Sequence, residues 1–287
     1  ILSEFNGVYP FIESLKWETD IRKSLFKGHR LEKWNQLVGL PKEFLLITIP
    51  DLQDFYDKHY VPANVSLVVH GGISAEDIIM EIQKSPFGIQ KRGTRNKIPK
   101  PFQIHPISGP KTKMVKLSDY FNYKTDQAGY KAVWAFPSDF DGMARIVFNS
   151  MLKKILFEEI REKRGLAYNI NANYSNFQNV FEYEVRGLIN PEATSCIDEL
   201  AQKCIKMIPL RQDLFDRCLR SQKQKYSMMD LSGHDLVDGS SADLALFNRI
   251  VPLQESWDDL NKVKFEQMAE AAALLSPERQ YTFISYP

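Results

Sequence analysis

Two residues of this sequence, Arg161 and Tyr168, have side chains whose types and spacing could act on a carbonyl group. They flank Gly165, where a helix is expected to end and a strand to begin, so a guanidinium and a phenol could converge on one point. Two such donors suit a carbonyl oxygen that becomes an oxyanion, since they supply charge and hydrogen bonds without transferring a proton. The structural alternative is that Arg161 solvates the helix end and Tyr168 packs on the sheet. Residue types alone favour that alternative.

Histidine spacing argues against a metal site in this chain. A helical zinc site needs two ligands one turn apart, as in the HExxH motif or its inversion HxxEH. No histidine has another within four positions; the five are His29, His59, His70, His105 and His234. The segment that starts at His29 has an acid three positions later but continues to Lys33. The sequence therefore predicts no metal ligands here.

Other catalytic patterns are also missing from the sequence. It contains no G-x-S-x-G elbow, no phosphate-binding loop and no G-x-G-x-x-G. His234 lies in a polar stretch with no obvious nucleophile. The three cysteines, Cys196, Cys204 and Cys218, form no CxxC pair, which predicts reduced thiols and favours a reducing compartment such as the cytoplasm.

The elements around Gly165 are predicted from periodicity. Apolar residues at helical spacing predict a helix over about 143–163, which Gly165 would end in a left-handed conformation. Residues 168–174 and 180–189 alternate, which predicts an antiparallel hairpin. Asn190 before Pro191 predicts the N-cap of a further helix.

The first part of the chain and its C-terminal part are both predicted to end in a helix, a proline and a strand, in that order. Thr48 is expected to cap a helix that runs to about Tyr60, and the apolar run Val65–Val69 predicts a buried strand. Near the C-terminus an Ala-rich helix, Pro277 and a strand over 280–286 repeat that order. The two parts are therefore expected to be copies of one unit.

Two further segments are predicted as connections. The basic stretch Gly88–Pro101 is expected to link the domains, and the Gly- and Asp-rich stretch Ser232–Ser241 is expected to be a loop. The linker divides the sequence into two predicted domains, residues 1–95 and 96–287.

Composition limits the classes of partner. Lys and Arg (37) nearly cancel Asp and Glu (36), so no overall field favours nucleic acid or an acidic membrane surface. No apolar run is long enough to span a bilayer. We therefore expect neither nucleic-acid binding nor membrane insertion.

The segment Arg161-Glu-Lys-Arg-Gly-Leu-Ala-Tyr168 and the hairpin after it resemble the arginine/tyrosine motif in the second domain of M16 metallopeptidases, the family of pitrilysin and mitochondrial processing peptidase. The first part of the chain resembles the end of that family's first domain, and the resemblance thus spans nearly the whole sequence. The matching segments there are Gly28-His29, Gly39, Phe55-Tyr56, His59-Tyr60-Val61-Pro62-Ala63-Asn64 and Val69-His70-Gly71-Gly72.

This resemblance implies an α+β fold of duplicated M16/LuxS-like units, each a mostly antiparallel sheet with helices on one face. It also implies zinc-dependent peptide hydrolysis, in which the first domain supplies HxxEH and the second supplies the Arg and Tyr. Only the second contribution carries over, to Arg161 and Tyr168. The zinc motif is absent, so zinc is expected on a missing first-domain segment or on a partner subunit.

Two interpretations remain open. The chain is either a fragment of a longer M16-like protein or a natural subunit that lacks the zinc motif, and in both cases it is expected to be inactive alone. The function implied is the non-zinc-binding part of a peptidase that binds peptide and stabilises the tetrahedral intermediate, together with an M16-like partner in a homo- or heterodimer. The alternative is a catalytically inert scaffold or peptide-binding subunit.

Overall fold

The computed structural model describes residues 22–26, 32, 45–96, 111–116, 126–137, 142–177, 180–228 and 233–287. They fall into two compact units. The sheet unit comprises the described residues of Ile1–Val38, Pro101–Lys225 and Trp257–Pro287, and the helical unit those of Gly39–Lys100 and Tyr226–Ser256. The domain boundary at residues 95 and 96 stays a prediction.

Helices lie in both units, and all of the described strands lie in the sheet unit. The described α-helices are α1 (Ile49–His59), α2 (Ala75–Lys84), α3 (Pro86–Ile89), α4 (Gly142–Leu156), α5 (Ile197–Met207), α6 (Gln212–Ser227), α7 (Gly233–Phe247), α8 (Leu253–Lys262) and α9 (Gln267–Leu274). The described strands are β1 (Lys111–Lys116), β2 (Ala128–Pro137), β3 (Ala167–Phe177), β4 (Val180–Ile189) and β5 (Gln280–Tyr286).

The strands form one sheet in the order β1-β5-β2-β4-β3. The β1–β5 pair is parallel and the other three pairs are antiparallel. The hairpin predicted around residue 179 is confirmed, since β3 and β4 pair with Ala172 opposite Val185. β3 and β1 are the two edges of the sheet that the described strands build.

Helices α4 and α5 cover one face of this sheet, and alternate side chains of β2 and β4 point at them. The Tyr130 hydroxyl donates to Asp198 Oδ1 of α5 (2.9 Å), and the Tyr183 hydroxyl donates to Asn149 Oδ1 of α4 (2.5 Å). Burial and the nearby Asp198 carboxylate raise the pKa of Tyr130 well above its usual value, which keeps this phenol neutral. α4 has its apolar stripe fully buried, as its periodicity predicts; the stripe includes Val147, Met151, Leu152 and Ile155.

The opposite face of the sheet carries ion pairs. Arg22 Nη1 lies 2.8 Å from Glu182 Oε2, and Lys131 Nζ lies 2.9 Å from Glu184 Oε2, and these side chains are largely buried. Burial alone would raise the pKa of Glu184, but Lys131, Arg186 and Asn173 together more than offset it, so this pKa is lowered and the carboxylate stays charged.

In the helical unit α1 begins as predicted. The Thr48 hydroxyl accepts from the Asp51 amide, and the Asp51 carboxylate accepts from the Thr48 amide (2.8 Å), which forms a capping box. Large apolar side chains of α1 are exposed, however, with Leu52 and Phe55 each more than half accessible.

Two secondary-structure predictions for this unit are wrong. Residues 65–70 form no strand, and Val65, Leu67 and Val69 are exposed, because no described strand lies beside them to complete a sheet. The stretch predicted as a loop over 232–241 belongs to α7, which starts at Gly233. Gly and Asp lower helix propensity without forbidding the helix, and tertiary context overrides such weak preferences.

The expected fold class is confirmed, since the chain is α+β with a mostly antiparallel sheet covered by helices. The architecture brings the end of α4 next to the start of β3, where Arg161 and Tyr168 lie.

A candidate carbonyl-binding site at a helix-to-strand junction

Arg161 lies in an irregular stretch of helix. After Leu156, α4 widens into a π-helical turn, Phe157–Glu162, and the Lys163 amide donates to the Glu158 carbonyl five residues back (3.0 Å). A π turn places side chains at angles that a regular α-helix does not offer, and such turns are frequent at functional sites. The sequence predicted the helix but not this widening.

Gly165 ends the helix as predicted. Its φ is +62°, in the left-handed region that favours glycine, and its amide donates to the Arg161 carbonyl (3.0 Å). Asn190 holds the turn: its Nδ2 donates to the Gly165 carbonyl and its amide to the Leu166 carbonyl, both at 2.9 Å. Asn190 is also the predicted N-cap, here of a 3₁₀ turn over Pro191–Ser195, but its side chain makes no capping hydrogen bond and fixes the junction instead.

Tyr168 lies in a β-bulge. Ala167 is opposite Ile189 and Asn169 is opposite Leu188, so Tyr168 is the extra residue of β3. A bulge breaks the alternation of side chains and can re-aim one of them. Gly187 lets the strands approach here, because a Cβ on it would lie 2.2 Å from the Asn169 carbonyl oxygen.

The structure brings the two predicted residues together. The guanidinium carbon of Arg161 lies 5.9 Å from the centre of the Tyr168 ring and 4.9 Å from that of Phe157. Both distances are in the range of cation–π contacts. Tyr168 is 66% exposed and Arg161 is also exposed, so solvent or a ligand reaches both. Sequence reasoning missed Phe157, although its place four residues before Arg161 on a helix is a usable signal.

The neighbouring cations are neutralised by acids. Lys163 Nζ lies 2.6 Å from Glu159 Oε1, and Arg164 Nη1 lies 2.8 Å from Glu159 Oε2. Hydrogen bonds from Lys163 and Arg164 lower the pKa of Glu159, which stays ionised near neutral pH. Arg161 has no carboxylate partner among the described residues. Its positive charge therefore stays uncompensated, unlike those of Lys163 and Arg164.

The Tyr60-x-Pro-x-Asn element has a structural explanation within the helical unit. Asn64 Nδ2 donates to the His59 carbonyl (3.1 Å), and Asn64 Oδ1 accepts from the Asn96 amide. Asn96 Nδ2 also lies 2.9 Å from His59 Nδ1. Asn64 therefore closes the end of α1 and ties residue 96 to it.

Within the described part of the chain, no three His, Cys, Asp or Glu side chains are grouped so as to hold a metal ion. The residues there do not fit a zinc site. His29, His105 and the side chain of His234 lie outside the described residues. None of the helices in the described ranges has the length and apolar character to cross a bilayer.

The family model for the peptidase M16 inactive domain matches residues 46–213. A comparison with curated protein sequences gives no match.

Several solved structures have a similar fold. The periplasmic protease PqqL from Escherichia coli is 13% identical, with a TM-score of 0.74 over 99% of this chain and 32% of that one. A peptidase M16 inactive domain from Pseudomonas fluorescens is 19% identical, with a TM-score of 0.74 over 94% of this chain and 65% of that one. A chain of complex III2 from Candida albicans is 11% identical, with a TM-score of 0.74 and coverages of 94% and 66%. This chain thus spans less than two thirds of the length of each.

Proposed function

The chain belongs to the M16 peptidase family, in the part described as its inactive domain, and from this premise we propose that it binds peptide and stabilises the carbonyl under attack with Arg161 and Tyr168. The hydrolytic half of the reaction belongs to an M16-like partner domain or subunit. The chain by itself is inactive in this proposal, because no three His, Cys, Asp or Glu side chains of its described residues are grouped so that they could hold a metal to activate water.

The observation that carries the proposal is the pairing of Arg161 with Tyr168. The guanidinium lies 5.9 Å from the phenol ring, and both side chains are exposed. Their backbone is irregular on both sides, a π turn and a β-bulge, and Asn190 fixes the turn between them. Irregular backbone that re-aims side chains is more common at functional sites than in ordinary surface structure.

The chemistry follows from charge development. When water attacks a peptide bond, the carbonyl oxygen gains negative charge, and preorganised donors stabilise it more in the transition state than in the substrate. Arg161 supplies a permanent positive charge because its guanidinium does not deprotonate. Tyr168 supplies a hydroxyl that donates a hydrogen bond without ionising. Neither residue transfers a proton in this scheme.

The test is reconstitution with a zinc-bearing M16 domain from the same genome, followed with a fluorogenic peptide. We expect Arg161→Ala to lower kcat/KM about 100-fold, the effect of losing one oxyanion donor. The matched control is Arg220→Ala, which removes an exposed arginine from α6 and is expected to leave hydrolysis unchanged. Unchanged hydrolysis in Arg161→Ala, or no hydrolysis with the intact chain, would overturn the proposal.

The second candidate is an inert scaffold subunit, and the apolar surface of the helical unit favours it. Several large apolar side chains there are at least half exposed; they include Ile49, Leu52, Phe55, Leu67 and Ile73. An exposed apolar patch of this kind is typical of a protein interface. A scaffold role predicts stable assembly with a partner that survives Arg161→Ala and yields no peptidase activity.

A further inference from the structure

Two asparagines lie beside the Arg161 and Tyr168 pair, at the open end of the β3–β4 hairpin. Asn169 directly follows Tyr168 in β3, and Asn190 directly follows the last residue of β4. Both asparagines are exposed, yet each side chain bonds to the main chain of the segment opposite it, from residue 169 to 188 and from residue 190 to 165. The two side chains therefore tie together the segments that carry the pair.

Asn169 supplies a hydrogen-bond acceptor at the β-bulge. An extra residue in one strand interrupts the ladder of main-chain hydrogen bonds, and Tyr168 is that residue in β3. Asn169 Oδ1 accepts from the Leu188 amide (2.8 Å). The side chain thus takes the role of a strand carbonyl where the register shifts, which favours the register that leaves Tyr168 unpaired.

Asn190 supplies a hydrogen-bond donor to the turn before β3. Its Nδ2 donates to the Gly165 carbonyl (2.9 Å). The Gly165 amide in turn donates to the Arg161 carbonyl (3.0 Å). The Asn190 side chain is therefore connected to the main chain of Arg161 through one residue, the glycine that ends the helix.

The main-chain partners determine which end of each side-chain amide makes the bond. A main-chain amide donates, so the atom of Asn169 that faces Leu188 is the oxygen. A carbonyl accepts, so the atom of Asn190 that faces Gly165 is the nitrogen. Asn169→Asp would keep the acceptor, whereas Asn190→Asp would put an acceptor against a carbonyl. One type of substitution should therefore have opposite consequences at the two positions.

The pair needs this support because its own side chains are weakly restrained. Tyr168 is 66% exposed and Arg161 is also exposed. The contact between them, 5.9 Å from the guanidinium carbon to the ring centre, is a cation–π contact without fixed hydrogen bonds. Reacting groups work well only when they are held within about 0.5 Å of the productive geometry. The backbone beneath the pair must supply that precision.

We propose that Asn169 and Asn190 are positioning residues for Arg161 and Tyr168. Asn169 holds the bulge that directs the phenol, and Asn190 holds the turn that directs the guanidinium. This inference rests on the proposed function, because the pair that is positioned is the pair that would bind the carbonyl. It adds that an acceptor at residue 169 and a donor at residue 190 set the geometry of the site.

Nuclear magnetic resonance of the full chain alone tests this inference without an activity measurement. The probe is the Nε–Hε resonance of Arg161 in ¹⁵N-labelled protein, identified by its loss in Arg161→Lys and shifted by the nearby rings of Phe157 and Tyr168. Tyr168→Leu gives the position of this resonance without the tyrosine ring. We expect Asn169→Ala and Asn190→Ala each to move the resonance most of the way to that position.

The aspartate variants separate positioning from a general loss of stability. Asn169→Asp should keep the Arg161 resonance near its original position, because the acceptor remains. Asn190→Asp should move it as far as Asn190→Ala does, because the donor is lost. The matched control is Asn173→Ala, which removes an asparagine that bonds Glu184 further along β3 (3.3 Å) and should leave the resonance in place. Dispersed amide spectra show that each variant is folded.

Two results of the resonance measurement would overturn the inference. In one, the resonance stays in place in both alanine variants; in the other, Asn169→Asp moves it as far as Asn169→Ala does. In the reconstituted peptidase, Asn190→Ala should lower kcat about 10-fold at unchanged KM, the pattern of lost alignment. A raised KM at unchanged kcat would also overturn the inference.

The resonance measurement does not depend on the proposed function. That function fails if Arg161→Ala leaves reconstituted hydrolysis unchanged or if the intact chain supports none, whether or not the asparagine variants move the resonance. The positioning inference fails if the resonance does not move, even where hydrolysis requires Arg161.

Discussion

Two segments of the chain share one order of elements and end in different structures. In the sheet unit α9 is followed by a Pro277 turn and by β5, which pairs with β1 and β2 and is buried over all but its last residue. In the helical unit α1 is followed by a Pro62 turn of the same 3₁₀ type, and then by residues 65–70, which pair with no described strand. Val65, Leu67 and Val69 are 47%, 61% and 48% exposed.

The difference shows which elements depend on nearby residues in the sequence and which depend on tertiary contacts. The helix and the proline turn form in both segments because each depends on residues within a few positions. A strand depends on neighbours that accept its backbone hydrogen bonds, and among the described residues those are present only in the sheet unit. We propose that the apolar face of the helical unit is completed by further M16-like polypeptide, in line with the expected first domain.

The largest expected effect contrasts one apolar residue from each segment. Ile284 in β5 is 3% exposed, so Ile284→Ala leaves a cavity and should lower the free energy of unfolding by about 2–5 kcal/mol. Leu67→Ala, at a residue 61% exposed, should change it by less than about 0.5 kcal/mol. Urea unfolding followed by tryptophan fluorescence measures both. Similar losses would show that residues 65–70 are packed in solution, as β5 is.

The next effect concerns the exposed apolar surface itself. The chain alone should bind the dye ANS at the helical unit, and the variant Phe55→Ser/Leu67→Ser should lower the dye fluorescence about twofold with little change in stability. The matched control is Met114→Ser on β1, which removes a single exposed apolar residue from the sheet unit. Equal fluorescence in both variants would mean that the dye reports another surface.

A smaller expected effect is the pH dependence of stability that Glu159 contributes at the helix-to-strand junction of the sheet unit. Hydrogen bonds from Lys163 and Arg164 lower the pKa of Glu159 in the folded state. Its contribution to stability is therefore present above the unfolded pKa of about 4.3 and is lost as the pH falls through the lower folded value. Glu159→Gln should flatten this part of the stability profile, measured as urea midpoints between about pH 6 and 3. Glu199→Gln, which removes an exposed acid beside Lys203, should change it less. Equal slopes of the urea midpoint against pH in these two variants would contradict a larger contribution from Glu159 than from Glu199.

The smallest effect is thiol reactivity in the sheet unit. Burial raises the pKa of Cys204 to about 12 and also raises that of Cys218, so neither forms thiolate readily. Only Cys196, which is partly accessible, should react with a thiol reagent in the native protein, and all three should react in urea. Reaction of all three without denaturant would show that the core of the sheet unit opens.

Sequence patterns predicted the parts of the site that are encoded locally. The end of the helix at Gly165, the hairpin after it and the closeness of Arg161 to Tyr168 all follow from periodicity, a glycine and chain connectivity. The π turn, the bulge at Tyr168 and the hydrogen bonds of Asn190 could not be predicted, because each depends on how α4, β3 and β4 meet. The exposed state of residues 65–69 was missed for the same reason, since a strand-like composition does not supply a neighbouring strand.

In the proposed function, Arg161 and Tyr168 act on one oxygen from a sheet unit that is already folded. A double-mutant cycle in the reconstituted peptidase tests it most directly, with kcat/KM measured for Arg161→Ala, Tyr168→Phe and the double variant, and urea midpoints as the control for folding. We expect each single change to lower kcat/KM about 10- to 100-fold, the double change to cost less than the product, and the midpoints to stay unchanged. Strictly multiplicative losses, or no loss in either single variant, would contradict the account.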